Sequence, residues 1–173
     1  MNKIGFGGGC HWCTEGVFQS LIGVTDVQQG WIASIGDNSS FSEAVTLEFD
    51  PNIISQDALI EIHLYTHAST SNHSFRKKYR SAVYVFSDIQ KMESEKIIEN
   101  LQSDFDKEII TKVVLFNTFT LNKKEQLNYL YQRINTGFCE RYIHPKLTLL
   151  MNKFADRVDP IQIGKLRDKN VDI

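Results

Sequence analysis

Three consecutive glycines, Gly7-Gly8-Gly9, separate a short apolar stretch from the run Cys10-His11-Trp12-Cys13-Thr14-Glu15. A strand that must end abruptly and re-emerge as a helix needs residues without a Cβ, because such a turn brings backbones close together. Ile4 and Phe6 make Lys3 to Gly8 a short buried strand, and Trp12, Val17, Phe18 and Leu21 recur at helical spacing. Cys10 therefore falls at a helix N-terminus. There, free amides and the positive end of the helix dipole favour a thiolate, the nucleophilic form of cysteine. Cys10 and Cys13 also have the spacing of half a zinc site, but the remaining cysteine is Cys139, and histidines would have to complete it. Two inert buried cysteines are the third possibility.

The remaining chain reads as alternating strands and helices. Val24 to Gln29, bracketed by Gly23 and Gly30 and continued by Trp31-Ile32-Ala33, alternates apolar and polar residues, as does Glu43 to Phe49 before the turn at Asp50-Pro51. Ser55 is placed to cap a helix with Leu59, Ile60, Ile62 and His63 on one face. Ser81 to Phe86 is a further strand. Ser87 or Asp88 then caps a helix presenting Ile97, Ile98, Leu101 and Phe105. Val113-Val114-Leu115-Phe116 is apolar on both faces and predicts a central strand. Lys123 to Ile134 has helical spacing, with Gly137 suited to a left-handed cap after it and Cys139 in an exposed segment. Pro145 opens a last short helix with Leu147, Leu150 and Phe154. The chain is thus expected to divide into one domain over residues 1–155 and a polar tail over 156–173, docked or frayed. Interleaved strands and helices predict an α/β or α+β two-layer domain of unspecified strand order.

Composition narrows the function. A formal net charge of −2 supplies no basic footprint for nucleic acid, and no apolar run approaches a membrane span. An odd number of cysteines without a leading apolar segment points to the reducing cytoplasm, where a disulfide is transient and catalytic.

Four segments, taken together and in order, resemble the class A peptide methionine sulfoxide reductases. The family's Gly-Cys-Phe-Trp motif stands here as Gly9-Cys10-His11-Trp12, with Cys13 following. Its Glu-Ala/Val-Val strand and Asp-Pro turn match Glu43-Ala44-Val45 through Asp50-Pro51. Its Gln-Tyr-Arg-Ser matches Lys78-Tyr79-Arg80-Ser81, and its Gly-Tyr-Cys with a later Pro-Lys matches Gly137-Phe138-Cys139 and Pro145-Lys146. The resemblance implies a ferredoxin-like plait with a mixed sheet covered by helices. It also implies thiol-dependent reduction of methionine S-sulfoxide, free or in proteins, as a monomer without a bound cofactor. It assigns Cys10 as nucleophile, Glu43 as acid, Tyr79 as a ligand of the sulfoxide oxygen and Trp12 as a wall for the S-methyl group. Cys13 and Cys139 become the recycling thiols, re-reduced by thioredoxin or a similar dithiol protein. To deliver a proton near neutral pH, Glu43 must hold it in a buried site.

The chain departs from the family at His11, where an aromatic is usual, at Trp31 for a tyrosine, at Ser74 for an acidic residue, and at Ser42 for a histidine. His11 would bring a polar, titratable edge to the methyl pocket. These changes keep two other functions in view, a sulfoxide-binding or redox-sensing module without efficient turnover, and a general thiol-disulfide oxidoreductase. His63 and His67, four apart with His73 nearby, suggest metal binding only weakly. Arg76-Lys77-Lys78 reads as a solvated loop, with an acidic stretch beside the oxidised methionine as its alternative partner.

Overall fold

The computed structural model describes residues 1–173. Six strands form one sheet in the order β5-β4-β1-β3-β2-β6: β1 Asn2–Gly7, β2 Val24–Ala33, β3 Ser42–Phe49, β4 Ala82–Val85, β5 Lys112–Leu115 and β6 Thr118–Leu121. All pairings are antiparallel except β4 with β5. With α1 (His11–Gln19) and α2 (Gln56–Thr66), the succession β1-α1-β2-β3-α2-β4 and the inner order β4-β1-β3-β2 constitute a ferredoxin-like plait. β5 is joined to β4 through α3 (Asp88–Leu101), and β6 extends the other edge.

Alternation along the strands sorts the core. Ile4, Phe6, Val45, Leu47, Phe49, Val83 and Val85 point to one face, where Phe18 of α1 stacks on Phe6 with ring centroids 4.5 Å apart. Leu59, Ile60 and Ile62 of α2 and Leu147 and Leu150 of α5 (His144–Lys153) complete this layer. The opposite face carries a smaller cluster of Ile32, Ala44, Ala82, Tyr84 and Val114, closed by Phe116 and Phe119. Gly30 admits β6 to that edge, since a Cβ there would stand 2.0 Å from the Thr120 carbonyl.

Several expected elements are corrected. β5 is an edge strand, not a central one. Its apolar character on both faces comes from α3 packing on one side and Val114 joining Tyr84 on the other. The helix expected over 123–134 is broken. Lys124–Gln126 forms one 3-10 turn, Leu127 is extended, Asn128 lies in the left-handed region at φ 54°, and only α4, Tyr129–Gln132, is α-helical. The cause is Glu15, whose carboxylate accepts the amide hydrogens of Asn128 and Tyr129, both at 2.9 Å. Gly137 is not left-handed; it opens a helical stretch that passes through a π turn, Cys139–Ile143, into α5. Phe105 lies beyond the end of α3. α5 is followed by α6, Pro160–Arg167, capped by Asp159, and the tail is docked by Ile163, Leu166 and Val171.

Glu15 is buried, and burial raises its pKa above the ordinary 4.5 in spite of the two amides. A raised folded-state value means that the folded protein holds this proton more tightly than the unfolded chain. The corresponding stability is present below the ordinary value and is lost as pH climbs through the raised one. Urea melts across this range should show wild type losing stability relative to Glu15→Gln as pH rises above 4.5. A difference that does not change with pH would refute the assignment.

Candidate active site

The plait brings one end of every inner strand to the same place. The end of β1 lies beside the starts of β3 and β4, and a Cβ on Gly7 would stand 3.0 Å from the Glu43 carbonyl and 3.1 Å from that of Arg80. Beyond β1, Cys10 occupies the N-cap of α1, and its carbonyl accepts the amides of Cys13 at 3.1 Å and Thr14 at 3.3 Å. The glycine turn is pinned from outside. His63 Nε2 donates to the Gly7 carbonyl at 2.9 Å, and the Arg76 guanidinium donates to the Gly8 carbonyl at 2.8 Å. His67 lies flat against Gly8, where a Cβ would meet its Cδ2 at 2.3 Å. Any side chain at position 8 would force the His67 ring out of its hydrogen bonds.

The Cys10 thiol is held below its ordinary pKa. The hydrogen bond from the Cys13 thiol contributes most; burial opposes it, the amides of Trp12 and Cys13 assist, and the charge of Glu43 opposes. Cys13 is correspondingly pushed far up, by the same hydrogen bond, by burial and by the neighbouring Cys10 charge. One hydrogen bond thus favours ionisation of Cys10 and holds the proton on Cys13. Cys139, expected in an exposed segment, is fully buried in the π turn, and its Sγ donates to the Arg133 carbonyl at 3.2 Å. Burial raises its pKa.

Glu43 is buried at the start of β3. Its Oε2 accepts the backbone N–H of His11 at 3.1 Å, while its Oε1 lies 3.6 Å from the exposed Lys78 ammonium. The acid is therefore tethered to the residue that follows Cys10. His11 itself is buried, with Nδ1 2.7 Å from the Gly30 carbonyl. A carbonyl only accepts, so Nδ1 carries the hydrogen and Nε2 accepts from the Asn122 amide at 3.3 Å. Asn122 in turn donates to Gln29 Oε1 at 2.6 Å. Burial lowers the pKa of His11, leaving a neutral ring 3.7 Å from Glu43 Oε2. Trp31 meets that ring edge-on at 5.2 Å.

A cavity of about 730 Å³ opens beside Cys10, lined among others by Cys13, Thr14, His67, Tyr79, Phe138, Tyr142 and Lys146. Cys10, Cys13 and Tyr79 thus share one cavity. Glu43, His11, Trp31 and Trp12 stand outside its lining, and Ser74 is exposed at the start of a 3-10 turn, Ser74–Lys77. Trp12 stacks on Tyr129 with centroids 4.0 Å apart and meets Phe138 edge-on at 5.2 Å, so it supports the cavity wall through Phe138.

Sequence reading missed several contributors. Arg76, taken as solvated, also donates to the carbonyls of Ser71 at 2.8 Å, Tyr79 at 3.0 Å and Ala68 at 2.5 Å, tying the Tyr79 loop to the cysteine turn. Lys77 and Lys78 are exposed. His63 and His67 stack with centroids 4.0 Å apart, and both are neutral: burial lowers His63 far below its usual value and His67 to about 3. His67 Nδ1 donates to the His63 carbonyl at 2.5 Å, and Nε2 accepts from Ser81 at 2.7 Å. No group of three or more His, Cys, Asp or Glu side chains is arranged to hold a metal ion. Lys146 was visible only as part of a Pro-Lys pair, and nothing in the sequence indicated which way it faces.

A family model described as peptide methionine sulfoxide reductase matches residues 2–158. A peptide methionine sulfoxide reductase MsrA of Nitratiruptor sp. is 30% identical over 164 residues, 87% of this chain and 94% of that protein. The MsrA of Pasteurella multocida is 31% identical, covering 87% and 95% respectively. Among solved structures, reduced Mxr1 from Saccharomyces cerevisiae superposes with a TM-score of 0.68 at 20% identity, over 81% of this chain and 90% of that one. The structure of Mxr1 in complex with Trx2 gives 0.55 at 20%, over 72% and 81%. These structural likenesses carry the fold.

The thiol pair makes its own prediction. Cys13→Ala removes the hydrogen bond that contributes most to the low Cys10 pKa. In a Cys139→Ser background, the pH midpoint of Cys10 alkylation by iodoacetamide should therefore move upward, with the rate at pH 7 falling severalfold. An unchanged midpoint would leave the helix terminus as the sole source of the thiolate.

Proposed function

The chain belongs to the peptide methionine sulfoxide reductase family and reduces methionine sulfoxide through a thiol, and we propose that Cys10 is that thiol, Glu43 its acid and the S-sulfoxide its substrate. The observation that carries this reading is the tether between the two: Cys10 at the N-cap of α1, its thiol held below the ordinary pKa, with Glu43 hydrogen-bonded to the next backbone N–H at 3.1 Å.

The Cys10 sulfur attacks the sulfoxide sulfur while Glu43 passes its proton to the sulfoxide oxygen. The sulfur–oxygen bond transfers, methionine leaves, and Cys10 remains as a sulfenic acid. Tyr79, lining the cavity, supplies a hydroxyl for the oxygen. Phe138, backed by Trp12, supplies an apolar wall for the S-methyl group. Trp31 and His11 shape the site from the Glu43 side, and Ser74 belongs to the loop that carries Tyr79.

Cys13 then attacks the Cys10 sulfur, expelling the hydroxyl as water and leaving a Cys10–Cys13 disulfide. Cys139 exchanges next; its thiol is buried in the π turn and donates to the Arg133 carbonyl. Exposing Cys139 requires the π turn to rearrange. An external dithiol protein of the thioredoxin kind completes the cycle, as the Mxr1–Trx2 complex of a structural neighbour suggests. No cofactor is called for, and the reading places a monomer in the cytoplasm.

Methionine release from separate S and R epimers of a blocked methionine sulfoxide, with dithiothreitol, tests this. The S epimer alone should be reduced, Cys10→Ser should abolish release, and Glu43→Gln should lower kcat by about 10²-fold or more. Reduction of the R epimer, or a Glu43→Gln variant of wild-type rate, would overturn the assignment.

A further inference from the structure

We propose that Lys146 is the acid–base residue of the resolving step, carrying a proton from the Cys13 thiol to the hydroxyl that leaves Cys10. This rests on the Cys10–Cys13 sequence of thiol steps given above and adds to it the group that moves the proton.

The proposal starts from a chemical difficulty. Cys13 must lose its proton to attack, yet it is buried, and burial favours the neutral thiol over the nucleophilic thiolate. Once Cys10 is a sulfenic acid, its leaving group is hydroxide, which departs slowly unless protonated. One group that accepts the first proton and returns it to the oxygen removes both obstacles.

Lys146 has the placement. It projects from the first turn of α5 into the cavity lined by Cys10 and Cys13. Its ammonium is held by a single hydrogen bond to the Thr66 carbonyl at the C-terminal end of α2, and it forms no ion pair with any carboxylate. The other titratable groups lining the cavity are poor substitutes. His63 of α2 and His67 just past its end are neutral and committed to hydrogen bonds with Gly7, the His63 carbonyl and Ser81. His73 and Tyr79 come from the loop beyond α2 and Tyr142 from the π turn, while Glu43 and Lys78 lie outside the lining. Lys146 is thus the lysine of the cavity. Burial lowers its pKa, and the two thiols oppose that shift.

The step balances. The Cys13 S–H proton passes to the Lys146 amine, and the Cys13 sulfur forms a bond to the Cys10 sulfur. The Cys10 S–O bond breaks, and the departing oxygen takes the proton from the Lys146 ammonium as water. Cys13 sulfur is oxidised, Cys10 sulfur is reduced, and Lys146 ends as it began.

The test is a single turnover with excess methionine S-sulfoxide and no reductant, in a Cys139→Ser background. Methionine is quantified at quench, disulfide is read by intact mass, and sulfenic acid is trapped with dimedone. Lys146→Met should release one equivalent of methionine at the parent rate, while the Cys10–Cys13 disulfide forms at least tenfold more slowly and the dimedone adduct accumulates. Lys146→Arg, which keeps the charge but cannot release its proton, should behave in the same way and lose the pH dependence of the parent's disulfide step. Disulfide formation at the parent rate in Lys146→Met, or full rescue by Lys146→Arg, would overturn the proposal. So would loss of the methionine burst in both folded variants, which would move Lys146 to the first step. Absence of the burst in the parent itself, or peptide mapping without a Cys10–Cys13 link, would instead defeat the underlying thiol sequence.

Discussion

The placement of every reactive group depends on how β1 ends. β1 is hydrogen-bonded on both sides, to β3 from Asn2 to Phe6 and to β4 from Gly5 to Gly7, so its last residue cannot slide. A one-residue slip would turn Ile4 and Phe6 out of the core, where both are fully buried. The carbonyls of Gly7 and Gly8, freed by the turn, are taken up by His63 Nε2 and the Arg76 guanidinium. Unpaired buried carbonyls would otherwise cost about 1–3 kcal/mol each. Backbone register, glycine and two side-chain donors therefore aim Cys10, and β2 and β3 bring Trp31 opposite Glu43 at the same end of the sheet.

Charge at this end is rationed. Three histidines close to the thiols, His11, His63 and His67, are all driven towards neutrality by burial, and each has a hydrogen-bond partner that fixes its ring. Neutral rings at these three positions add no positive charge beside Cys10, and the cavity receives its lysine cation from Lys146. Arg76 keeps its charge where four carbonyls solvate it, without a carboxylate. That arrangement positions the loop bearing Tyr79 and places no counter-ion beside the thiols.

Much of this was legible in the sequence, and the failures have physical causes. Period-two alternation placed β2 and β3, and helical spacing with Ser55 and Ser87 as caps placed α2 and α3, because local pattern and tertiary burial agree there. Val113 to Phe116 misled because an edge strand packed on both faces has the same composition as a central one. Residues 123–134 misled because a buried carboxylate 113 positions away captures the amide of Asn128 and breaks a pattern that is locally helical. β6 needed Gly30 to admit it, a condition that no property of Thr118 to Leu121 discloses. At the site, motif and spacing named Cys10 and Cys13 and the family resemblance named Tyr79, and the fold brings the three to one cavity. The burial of Cys139 and the inward course of Lys146 arise from the π turn that joins Gly137 to α5, which sequence periodicity does not register.

His11 stands at a position where the family resemblance led to the expectation of an aromatic. Read from the sequence, the imidazole adds a titratable edge to a methyl pocket. In the fold both edges are already spent, Nδ1 on the Gly30 carbonyl and Nε2 on Asn122, whose amide is also fixed by Gln29. What remains exposed to neighbouring groups is a flat neutral ring in edge contact with Trp31, close in shape to an aromatic side chain. The substitution is tolerable only as a set, since a phenyl ring at position 11 would leave the Gly30 carbonyl and the Asn122 amide short of partners in a buried site. Asn122 and Gln29 are therefore as much a part of this variation as His11. A chain with histidine at this position and no matching amides would meet the desolvation cost that this one avoids.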